Sequence, residues 1–141
     1  MTRLIVLLVL VAVAVIIALV LQRRRPDPPS APSYRAPAQL DRNDFARPET
    51  PGLIVVFAST TCNTCPEVWR LVEPLGSDDL AVQRVDVQDG DDLHSRYRID
   101  GVPTTVLADG RGVVVATFFG PVSDEEFADA VHALRRGEAP S

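Results

Sequence analysis

From Leu4 to Leu21 the chain carries no polar side chain, a run of 18 residues. Coiled as a helix at about 1.5 Å per residue, such a run spans roughly 27 Å. A bilayer's hydrocarbon core is about 30 Å thick, so the run reads as a transmembrane helix over residues 4–21. A cleaved export signal would need a small-x-small site just after the apolar core. Gln22, Arg23, Arg24 and Arg25 stand there instead, and the next such triplet, Ala36-Pro37-Ala38, lies far downstream and contains proline. The segment therefore reads as an uncleaved single-pass anchor. Arg3 and the amino terminus flank it on one side; three arginines, then Arg35, flank it on the other. The positive-inside rule puts the richer flank, and all that follows, in the cytoplasm. A domain facing outward is the alternative.

Residues 22–37 form an Arg/Pro-rich linker. Between Pro26 and Pro37, prolines at 26, 28, 29, 32 and 37 favour an extended, polyproline-like spacer. From Pro26 onward the chain holds 10 arginines, no lysine and 19 carboxylates. So acidic a segment repels nucleic acid and anionic headgroups, which excludes nucleic acid as a partner. No sequence feature reports on oligomeric state.

The folded domain is expected over residues 38–137. Leu53–Ala58 is a continuous apolar run, the pattern of a strand buried on both faces. Val68, Leu71, Val72 and Leu75 then recur at helical spacing, and Pro74 should end that helix. Ala81–Val87 reads as a second strand, Leu93–Tyr97 as a short helix and Thr104–Ala108 as a third strand. Asp109-Gly110-Arg111-Gly112 is a hairpin turn by its glycines, and Val113–Phe119 returns antiparallel. Ser123 and Glu126 form a capping box for a last helix, whose apolar face is Phe127, Ala130, Val131 and Leu134. The order predicts an α/β domain, a mixed sheet flanked by helices.

Two cysteines, Cys62 and Cys65, are all the chain has. They cannot frame a small fold with disulfides, which leaves a local reactive pair. The pair falls between a buried strand and a helix start. Free N–H groups and the helix dipole favour negative charge there, so a thiol loses its proton more readily and becomes the attacking thiolate. The outer cysteine would attack, and the inner one would resolve the mixed disulfide. A second element follows 38 residues after Cys65: Gly101-Val102-Pro103-Thr104, a proline at the first position of a strand, where a cis bond would turn the chain sharply.

Together these segments resemble the thioredoxin superfamily from about Gln39 to Arg136. The likeness rests on Val55-Val-Phe-Ala-Ser-Thr-Thr-Cys62-Asn-Thr-Cys65, on Val85-Asp86-Val87, on Gly101-Val-Pro-Thr104, and on Phe119-Gly120 before the last helix. It implies a thioredoxin-like sheet and a redox-active disulfide between Cys62 and Cys65. It also implies a substrate groove lined by Val102, Pro103 and Thr61, with protein thiols or disulfides as substrates and an upstream redox partner. No cofactor beyond the dithiol is implied. Leu40–Phe45 would be the family's first strand, with the helix after it shortened or lost. Thr61 stands where the family usually has tryptophan, Asn-Thr separates the cysteines, and Val56 stands where thioredoxins keep a buried aspartate. The last change removes a proton acceptor for Cys65, or moves it elsewhere.

Other candidates carry less. A zinc site would need His94 and His132 beside the cysteines, and each reads as a surface histidine. Trp69 reads as partial core and Asp86 as a solvated carboxylate at a strand edge. Asp89-Gly90-Asp91-Asp92 lacks calcium-loop spacing and reads as a turn. The sequence thus predicts a membrane-anchored thiol–disulfide oxidoreductase, a reductase if cytoplasmic. The competing reading is a thioredoxin-like binding module that holds partners at the membrane without turnover.

Overall fold

The computed structural model describes Met1, Val11, residues 13–15 and residues 35–137. The chain divides into two compact units, Met1–Ser33 and Tyr34–Ser141. The expected membrane helix over 4–21 lies outside the described residues except for Val11, Val13, Ala14 and Val15, which are helical. Most of the 22–37 linker also lies outside them. Among the described residues no helix is long and apolar enough to cross a membrane.

The second unit is built on four strands: β1 (Gly52–Ala58), β2 (Leu80–Asp86), β3 (Thr104–Asp109) and β4 (Val114–Phe119). Their order is β2-β1-β3-β4. β1 runs parallel to β2 and antiparallel to β3, and β4 pairs antiparallel with β3. Every residue of β1 is buried, because helices cover both faces of this central strand. Ile54, Val56 and Ala58 face one apolar cluster with Cys65, Val68, Val72, Leu107, Phe127, Val131 and Leu134. Leu53, Val55 and Phe57 face the other, with Leu40, Phe45, Val85, Tyr97 and Val106.

Helix α1 (Cys65–Val72) and helix α3 (Asp124–Arg136) cover the first face. α1 gives way to a 3-10 turn, Glu73–Leu75, at the expected Pro74. α3 buries Phe127, Val131 and Leu134, at i, i+4 and i+7, and ends at Gly137 in the left-handed region (φ 67°). Its capping box closes differently from expectation: Ser123 Oγ donates to Glu126 Oε2 at 2.8 Å, and neither side chain bonds the helix backbone. Helix α2 (Asp91–Arg96) lies on the second face, starting two residues before the expected helix.

The expected first strand over Leu40–Phe45 is not formed. Gln39 makes a single antiparallel bridge to Val113, and Arg42–Asp44 is a 3-10 turn. The Asp41 carboxylate accepts from the Asn43 N–H at 2.9 Å, so this polar run satisfies its backbone locally rather than in a ladder. The segment is held instead by tertiary contacts. Asp41 N–H donates to the Tyr97 hydroxyl, which donates to Asp44, and Arg96 clamps Asp44 with two hydrogen bonds.

Candidate active site

β1 and β4 end, and β3 begins, at one end of the sheet. Phe57 is in register with Thr104, and Thr104 with Phe119. The loop from β1 to α1 therefore lies beside the Gly101–Pro103 loop. The Val102–Pro103 peptide bond is cis, and Gly120 N–H donates to Pro103 O at 2.8 Å, tying the end of β4 to that loop.

Cys62 and Cys65 are joined in a disulfide, their Cα atoms 5.5 Å apart. Their exposure is unequal. Cys65 is the first residue of α1 and fully buried, whereas Cys62 is only partly buried in the loop before it. The Cys65 N–H donates to Cys62 Sγ at 3.2 Å, and Thr64 Oγ1 lies 3.7 Å from the same sulfur. These contacts, with the start of α1 behind them, favour negative charge on Cys62 once the disulfide opens. Pro66 sits in the first turn, where its missing N–H leaves no helix bond unmade.

No family model matches the chain, and no curated protein does. Solved structures do. A mutant thioredoxin from Halobacterium salinarum is 28% identical with a TM-score of 0.54, over 60% of this chain and 75% of that one. The germline-specific thioredoxin Deadhead of Drosophila melanogaster is 23% identical (TM-score 0.54; 62% and 84% covered). A reduced thioredoxin of Schistosoma mansoni is 23% identical (TM-score 0.52; 61% and 81% covered).

These neighbours are thioredoxins, and the likeness supports the thioredoxin superfamily. All five expected residues, Cys62, Cys65, Val102, Pro103 and Thr61, lie at this end of the sheet. Val102 is exposed and Pro103 buried. Thr61 is exposed in the same loop as Cys62, and its hydroxyl bonds Ser59 Oγ at 3.0 Å.

Three features were not foreseen. Gln88 pins the loop between β1 and α1 to the end of β2: it donates to Ser59 Oγ at 3.1 Å and accepts from Thr60 N–H at 3.2 Å. Thr64, read only as a departure from the family's dipeptide, contacts the Cys62 sulfur. Phe119 and Gly120 join residues 101–104 around a pocket of about 140 Å³. The run Ser59-Thr60-Thr61 was the available signal for the loop network, since such hydroxyls bond nearby backbone at strand ends.

Asp86 is less solvated than expected. Arg84 grips it with two hydrogen bonds of 2.8 Å, which pushes the guanidinium's pKa up. His94 corrects the surface reading. It is 5% exposed, its Nε2 lies 3.0 Å from Val85 O, and its ring stands edge-on to Phe57 at 5.1 Å. Its charged neighbours Asp91 and Asp92 masked a spacing that puts His94 on the same helix face as Tyr97. That face is opposite the one holding Cys65, so His94 and Cys65 do not converge on a metal. His132 is exposed on α3, and Trp69 packs partly buried against the core of the Cys65 face.

Proposed function

We propose that this protein is a membrane-anchored thiol–disulfide oxidoreductase acting on protein substrates through Cys62 and Cys65. The observation that carries the reading is the unequal exposure of the two cysteines in a disulfide at a helix start beside a cis-proline loop. In the reduced form the Cys62 thiolate attacks a substrate disulfide, and one substrate sulfur leaves as a thiolate. Cys65 then attacks the mixed disulfide, restoring the internal bond and releasing the second substrate thiol. Val102 and Pro103 line the groove along which the substrate chain lies. Val102 is 36% and Phe119 40% exposed, so the groove offers apolar contact beside Cys62.

The anchor is the apolar run over residues 4–21, and Arg23–Arg25 support a cytoplasmic domain. In that compartment the reaction runs as disulfide reduction, with the dithiol regenerated by an upstream cellular donor. The test is turnover of a protein disulfide by the full chain in detergent, with Cys62→Ser as control. The reading predicts steady turnover that the variant lacks. A Cys62→Ser chain that supports its cellular role as well as the parent would instead establish the binding-module reading.

A further inference from the structure

Thr105 lies on β3, with its side chain on the sheet face that Cys65 joins. Its register partner on β1 is Val56, and Val56 belongs to the same cluster as Cys65. Two residues away along the chain, on the same side, is Pro103 of the cis bond. Thr105 is 0% exposed, and its Oγ1 has no hydrogen-bond partner. A buried hydroxyl without a partner destabilises the fold, whereas valine has the same shape and carries no such cost. A strand core that spends a threonine here calls for a reason.

Cys65 supplies one. Its sulfur is fully buried, yet resolving a mixed disulfide requires it as a thiolate. The polar groups in register on this face are Arg84 and Asp86 of β2, where Arg84 Nε and Nη2 donate to the two Asp86 oxygens. α1 and α3 present Val68, Val72, Phe127, Val131 and Leu134, and β4 presents Ala116 and Phe118; none of these titrates. Among the described residues, the Thr105 hydroxyl is the fully buried side-chain donor on this face that has no hydrogen-bond partner. With the disulfide closed, the Thr105 hydroxyl bonds neither sulfur, so a contact with Cys65 has to form as its side chain turns on opening.

We infer that Thr105 donates a hydrogen bond to the Cys65 sulfur once the disulfide opens, and so stabilises the resolving thiolate. This rests on the dithiol reading above. In the step itself the Cys65 thiolate attacks Cys62 Sγ. The Cys62–Cys65 bond forms, the bond from Cys62 to the substrate sulfur breaks, and that sulfur leaves as a thiolate. The proton given up by Cys65 is matched by the one the leaving thiolate takes up from water. Thr105 itself transfers none. A hydrogen bond made only in the open form also favours the dithiol over the disulfide.

The experiment uses the full chain in detergent, as parent, Thr105→Val and Thr105→Ser. Glutathione redox buffers read the Cys62–Cys65 equilibrium. A 5-thio-2-nitrobenzoate adduct on Cys62 reads resolution, by release of the coloured thiolate across pH. Denaturant unfolding of the oxidised form reads stability. Thr105→Val is expected to unfold at the same or higher denaturant. It should shift the equilibrium about tenfold toward the disulfide, about 30 mV for this two-electron couple. It should also slow adduct release about tenfold and move its pH profile upward. Thr105→Ser should restore both. A folded Thr105→Val chain within twofold of the parent in equilibrium and release overturns the inference. Thr105→Ala gives the same reading if the valine variant does not fold. A parent that equilibrates with glutathione but turns over no protein disulfide would sink the function above and leave this inference standing.

Discussion

Tyr97→Phe removes one oxygen atom and tests what holds the start of the domain in place of a first strand. The hydroxyl accepts from Asp41 N–H at 2.9 Å and donates to Asp44 Oδ2 at 2.5 Å. The ring stays, and with it the contacts to Phe45 at 5.7 Å and Phe57 at 6.4 Å. A hydrogen bond to a charged acceptor contributes about 1.5–3 kcal/mol, and leaving a partly buried N–H unpaired adds about 1 kcal/mol. Arg96 still grips Asp44 in the variant, so the lost bond to Asp44 counts for about 1–2 kcal/mol, and with the unpaired N–H the loss is about 2–3 kcal/mol in all. Asp44 also makes the loss depend on pH. Its pKa is lowered, first by the Tyr97 hydrogen bond and then by Arg96, against desolvation. A depressed carboxylate stabilises the fold above its unfolded value, about 3.9, and loses that contribution as pH falls through its folded value. Urea unfolding at neutral pH should therefore show the full 2–3 kcal/mol gap between parent and variant, and the gap should narrow below about pH 4. At the other end the Tyr97 pKa is raised, chiefly by burial. The parent should lose stability as pH rises past about 10, a limb the variant lacks. A neutral-pH gap under about 0.5 kcal/mol, or one constant down to pH 2, would refute the reasoning.

Three further outcomes follow from the same packing. Phe127→Ala empties a side chain that is 2% exposed and edge-on to Phe118 at 5.6 Å, and should cost about 3–5 kcal/mol in denaturant unfolding. Gly112→Ala should cost about 2–4 kcal/mol by the same assay, because Gly112 has φ 82° and a Cβ there would overlap Leu40 O. Val102→Asp should leave the unfolding midpoint nearly unchanged, since the residue is on the surface. It should cut turnover of protein disulfides about tenfold, by about 1.4 kcal/mol, while sparing a small-molecule disulfide that does not fill the groove.

The parts legible in the sequence are those whose signal is local. Leu53–Ala58 announced a doubly buried strand because it has no polar residue to place on a solvent face. Pro74 marked the end of α1, and Gly110 and Gly112 marked the hairpin between β3 and β4. The cysteine pair and Pro103 were legible as chemistry because their meaning comes from where they fall against a strand and a helix start. What was not legible depends on partners far along the chain. Asp41–Asp44 departs from a strand because Tyr97 and Arg96, more than 50 residues on, give it better hydrogen bonds. His94 is buried because Val85 O and Phe57 accept it, and neither is visible from the charged run around it.

With no strand formed at Leu40–Phe45, β2 is left as an edge of the sheet. An unpaired edge is a template for another chain, and folds blunt it with charge, a cap or a cover. Here Arg84 and Asp86 place an ion pair on the strand, and Ala46 N–H turns in to Gln83 Oε1 at 2.7 Å. Arg47, held at φ 52°, reaches across to Ser77 O and Asp78 O just before β2 begins. The polar segment that failed as a strand thus still protects the edge, through side chains rather than a ladder. The Arg84–Asp86 pair does so at the face where Cys65 is buried. The Asp86 carboxylate is engaged by Arg84 in closing that edge, and on the other side of β1 stands the buried hydroxyl of Thr105, the group inferred above to serve the resolving cysteine.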